Sequence, residues 1–155
     1  MPFIANDVLS AACAFTLSDD GRWALRRIRE THEMPSLRVL TAPQFATLEY
    51  LVETIHPSEA ATPGAMDFRA ADYIDILLSE SDDVTKLEWL NGLATLDMEA
   101  RAGFGVPFVR LDEVAKKALV AAFYRRQPSG HESFIHLVEQ ATAFACGSSR
   151  TATGH

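Results

Sequence analysis

Basic residues are in deficit in this chain: 14 lysines and arginines stand against 21 aspartates and glutamates, a formal charge of −7. Such a balance argues against nucleic acid as a partner, because nothing would neutralise phosphates over a broad surface. Arg22, Arg26, Arg27 and Arg29 do cluster, in the pattern of a solvated helix face. Long apolar runs are missing too, and none approaches the roughly 18 residues of a membrane span. Val8 to Leu17 has the composition of a signal-peptide apolar region, but Met1 to Asp7 carries no positive charge. Arg26-Arg27 is a twin arginine followed by polar and acidic residues, not by an apolar run. No export signal is therefore read, and periplasmic and cytoplasmic locations both stay open.

Cysteine is scarce. Cys13 and Cys146 lie far apart and fit no metal or redox spacing. Buried thiols are the ordinary reading, and an intermolecular disulfide is the alternative in an oxidising compartment. The five histidines are scattered, and His131 and His136 miss the four-residue spacing that puts two ligands on one helical face. There is no glycine-rich phosphate loop, no dinucleotide fingerprint, and no nucleophile elbow around a serine. Glu49, Glu53 and His56 do share one face at four- and three-residue spacing. That trio could hold a metal in a small metal-dependent enzyme, or be a solvated polar face. The residues themselves point to a binding or scaffolding module rather than an enzyme.

About half of the 155 residues are apolar, enough for one globular domain with its own core. Sustained two-residue alternation is absent, so the prediction is all-α: five to seven short helices and no sheet. Residues 1–36 read as an N-terminal helical arm. In it Asn6 or Asp7 caps a helix through Phe15, and Ser18 caps a second over Asp19 to Glu30. The main helical domain spans 37–147. Thr41-Ala-Pro-Gln44 is a capping box, and Pro57 ends the helix it opens. Pro63-Gly64 predicts a tight turn in which the glycine is free to take positive φ, and Asp67 a cap for the following helix. Asp112 and the Ser129–Glu132 box open two further helices; Gly147 ends the last, leaving 148–155 as a polar tail.

The segment Leu87 to Phe108 carries most of the functional argument. Leu87, Leu90, Ala94 and Met98 line one side of its helix, and Trp89, Leu93, Leu96 and Ala100 a second. Two apolar stripes imply cover on two sides, by the chain's own core and by a partner. We assign the first stripe to the core. The second, with Phe104 and Phe108 of the loop that follows a left-handed helix cap at Gly103, is assigned to a partner. Asp97 and Arg101 are four apart in the favourable order. Arg101 either braces that loop through Asp97 or contacts a partner.

Taken in order, LTAPQFATLEYLVETIHP, TPGAMDFRAADYID and GLATLDMEARAGFGVPFVRLD resemble the gluconate 2-dehydrogenase subunit 3 family. The match runs over roughly residues 40 to 145, and it is the order and spacing of the motifs that is specific. The resemblance implies a small subunit holding no cofactor of its own. Its partner would be an FAD-containing large subunit of the glucose–methanol–choline type that oxidises a sugar, polyol or sugar acid. A cytochrome c subunit often accompanies the pair. The small subunit would bind and mature the large one, and a transient chaperone or adaptor is the alternative reading. Trp89, Leu93, Leu96, Arg101, Phe104 and Phe108 are then interface candidates, and Cys146 a candidate for a disulfide to the large subunit. The missing twin-arginine signal departs from the family pattern.

Overall fold

The computed structural model describes residues 16–31, 36–59, 63–126 and 134–153. Among them the chain forms six α-helices and one short 3-10 turn, with no strand. The helix expected through Phe15, Cys13 and the Ser129–Glu132 box lie outside the described residues.

Helix α1 (Asp19–Thr31) starts at Ser18, whose hydroxyl accepts the Gly21 amide at 3.1 Å. The Ser18 amide donates to Glu80 at 2.8 Å, tying the start of α1 to the end of α3 (Ala70–Ser79). Helix α2 (Ala42–Ile55) carries the full capping box. Thr41 Oγ accepts from the Gln44 amide at 3.3 Å, and Gln44 Oε1 accepts from the Thr41 amide at 2.9 Å. Three other helices follow: α4 (Asp83–Phe104), α5 (Glu113–Arg126) and α6 (Phe134–Thr153). Asp82 caps α4 through the Thr85 amide at 2.8 Å, and Asp112 caps α5 through Ala115 at 2.8 Å.

The hub of the bundle is α3, which packs on α1, α2, α4 and α6. Every residue from Ala70 to Leu78 is buried. A helix covered all round must satisfy any carboxylate it contains. Asp75 does so fully, accepting the amides of Arg38, Val39 and Leu40 at 2.8, 3.1 and 3.0 Å. Those three bonds clamp the strand-like entry to α2 against the hub.

The structure exchanges the two stripes of α4. Trp89, Leu93, Leu96 and Ala100 are buried, Trp89 to 1 % exposure, whereas Leu87 and Met98 are 57 % and 67 % exposed. The reason lies in Gly92 and Phe134. A Cβ at Gly92 would stand 2.3 Å from the Phe134 ring, so that ring lies directly on the α4 backbone. From there it meets Trp89 edge-on at 5.8 Å and Phe123 at 6.4 Å. The inward side of α4 is thus the one that pairs a tryptophan with a glycine.

Four local expectations also change. The left-handed cap of α4 is Gly105 at φ 78°, two residues after Gly103. Gly64 is not at positive φ; it is needed because a Cβ there would meet the Ser58 amide nitrogen at 2.3 Å. Asp67 accepts the Gly64 amide at 2.9 Å, bracing that turn, and Arg69 in the left-handed region precedes α3 instead. Helix α6 runs through Gly147 to Thr153, so Gly147 does not end it.

Candidate functional site

The exposed side of α4 carries apolar residues where an amphipathic helix would carry polar ones. Val84, Leu87 and Met98 lie within one side of the helix, and Val84 is 76 % exposed. Phe104, at the last turn, adds an aromatic ring at 48 % exposure about a third of a turn round the helix from that row. Single exposed apolar residues need no explanation; a row of them along one helix does.

Arg101 borders this row. Its Nε donates to Asp97 Oδ2 at 2.9 Å, while Asp97 Oδ1 accepts the Phe108 amide at 3.0 Å. Burial alone would raise the Asp97 pKa, but the bonds from Arg101 and Phe108 outweigh it and hold the carboxyl below its ordinary value. Asp97 therefore fixes both the arginine and the loop, and one guanidinium edge stays outward. A cavity of about 660 Å³ opens beside it, lined among others by Gln44, Ala94, Arg101 and Arg110.

The residues expected to meet a partner are divided by the fold. Arg101 and Phe104 are at the surface. Trp89, Leu93, Leu96 and Phe108 are in the chain's own core and present nothing outward. Phe108, with no exposed surface, stacks edge-on against Tyr50 at 5.6 Å under the Lys116 ammonium. Cys146 is buried on the inner face of α6, so its thiol does not reach the surface. Of the arginine cluster, Arg29 is not a solvated residue: its Nε donates to the Phe68 carbonyl at 2.9 Å and a second nitrogen to Ala145 at 3.3 Å.

Glu49, Glu53 and His56 do not converge. Glu53 accepts the Ser58 hydroxyl at 3.2 Å and the Met66 amide at 3.3 Å, holding the loop after α2, while Glu49 faces a cavity toward α3. No group of three potential ligands is placed to hold a metal among the described residues. The starts of α2, α4 and α5 are closed by Thr41, Asp82 and Asp112, two of them carboxylates. Asp72 and Asp75 were not legible as special in sequence. The available signal was two acids three apart inside an otherwise apolar ten-residue helix.

These features define an all-α bundle with one helix side left apolar and outward. A family model for gluconate 2-dehydrogenase subunit 3 matches residues 42–155. The chain belongs to that family, and the match takes in α2 to α6. No curated protein and no solved structure matches it. The family is named for one subunit of a dehydrogenase, so membership implies partner chains. No helix among the described residues is long and apolar enough to cross a membrane.

Proposed function

We propose that this chain is a non-catalytic small subunit that binds and stabilises the FAD-containing large subunit of a sugar or polyol dehydrogenase. Family membership over residues 42–155 carries the reading. The contact face is the outer side of α4, with Leu87 and Met98 as apolar anchors, Arg101 beside them and Phe104 round the C-terminal end of the helix. Each of these side chains is already about half covered, so burying the rest is worth about 1–2 kcal/mol apiece, and polar rim contacts add to them. FAD resides in the partner, and this chain acts on it only through that partner's fold.

Co-expression with the large flavoprotein from the same organism tests the proposal. The expected outcome is a one-to-one complex retaining flavin, with the large subunit recovered poorly when this chain is omitted. Recovery of this chain in trace amounts on a mature large subunit would instead mark it as a transient chaperone. Full yield and activity of the large subunit without it would overturn the reading.

A further inference from the structure

Asp72 sits on the hub helix with 4 % exposure, yet only one of its carboxylate oxygens is used. Oδ2 accepts from Arg69 Nε at 2.7 Å, and Oδ1 is buried with no hydrogen-bond partner. Leaving a buried acceptor unpaired costs about 1–3 kcal/mol, more when it is charged, so such an atom calls for a donor. Asp72 lines two cavities. The one toward α1 already carries Arg27 and Arg38, and the Asp75 beside them is fully used by backbone amides. The other, about 370 Å³ between α2 and α3, is walled by Phe45, Met66 and Ala70 and carries Glu49 and Arg69.

Glu49 has its carboxyl pushed up, first by burial and then by the charge of Asp72, with Arg69 easing the shift. No hydrogen bond to its carboxylate is found among the described residues. Two carboxylates and one guanidinium thus share an apolar chamber, an excess of one negative charge. Arg69 is held for this in the left-handed region at φ 57°, rare outside glycine and asparagine. Ala42, Ala46 and Met66 are exposed, forming a mouth, while Ala70 and Ala71 are buried beneath.

We propose that this chamber is a binding site for an ammonium or guanidinium head on an aliphatic stem. The head donates to the Glu49 carboxylate and, as the side chains over it part, to Asp72 Oδ1, which is otherwise covered; these are the chamber's two acceptors lacking donors. Its stem lies along Phe45 and Met66. An anion would face both carboxylates, and a purely apolar guest would leave Oδ1 unpaired. The head can be a free amine or a basic side chain of a partner subunit. The pocket's chemistry is the same for both, and it does not depend on what covers α4.

The test is a titration of the full chain with butylammonium, butanol and butyrate, followed through backbone amide NMR shifts. Butylammonium is expected to shift Glu49 and residues 69–72 saturably, with a Kd on the order of 1–10 mM as befits so small a ligand. Butanol should bind about tenfold more weakly and butyrate not at all. Glu49→Gln should weaken the ammonium about tenfold; Asp72→Asn should abolish it. Should the Asp72 variant fail to fold, Glu49→Gln still decides. Equal responses to all three probes, or none to any, would overturn the proposal, leaving an apolar hole or a single ordered water on Oδ1. Glu49→Lys in the co-expressed pair then identifies the source. A reduced yield of complex assigns the head to the partner, and an unchanged yield assigns it to a free amine.

Discussion

Tyr73 shows how burial alone can set a pH limit. It is 3 % exposed on the hub helix, and burial pushes its hydroxyl up to about 12 from an ordinary 10, with Arg29 pulling slightly the other way. In the folded chain the phenol keeps its proton where the unfolded chain has lost it. Stability is therefore unaffected well below pH 10 and falls between about 10 and 12, by about 2–3 kcal/mol in total. Tyr73→Phe should remove that alkaline loss while leaving the neutral-pH urea midpoint within about 0.5 kcal/mol equivalent. Urea midpoints of both proteins at pH 8 and above check it. An alkaline loss that persists in the phenylalanine variant would assign it to another group.

Among the helices, α3 is the one buried all round and α4 has the most ambiguous pattern. Asp75 is the clearest lever on α3, because three backbone amides converge on it. Asp75→Ala should cost about 2–3 kcal/mol and expose the amides of 38–40 to hydrogen exchange, since one buried and two part-buried donors lose their acceptor. Asparagine at that position should recover part of the loss through its one carbonyl oxygen. Exchange rates at 38–40 unchanged in the alanine variant would show that the clamp is not needed. Much of this architecture was readable beforehand where the signal is local. The Thr41–Gln44 box, the stop at Pro57, and the caps at Ser18 and Asp112 each depend on residues within one turn. The role of α3 was not readable, because its burial comes from four other helices and its two aspartates mimic a wet side. Nor was the facing of α4, whose stripes are similarly apolar. The side chosen for the core is settled by the distant Phe134 ring seated on Gly92. Of the interface candidates, Arg101 and Phe104 remain at the surface, because the loop that Asp97 fixes turns Phe108 inward.

The whole molecule is an acidic helical bundle whose polar groups mostly brace its own loops, with an apolar row on one outer helix. Charged residues at Trp89 or Leu93 would damage the core and so could not report on docking. Leu87 and Met98 can, since both are more than half exposed. Val114 on α5 is 78 % exposed and serves as a control away from that row. The decisive measurement is co-purification of the large flavoprotein with Leu87→Glu/Met98→Glu, beside Val114→Glu, each variant having wild-type helicity and thermal midpoint. We expect the double variant to lose the large subunit and Val114→Glu to retain it in full. A double variant that still brings down the large subunit at one-to-one stoichiometry would contradict the assignment of α4 as the docking face.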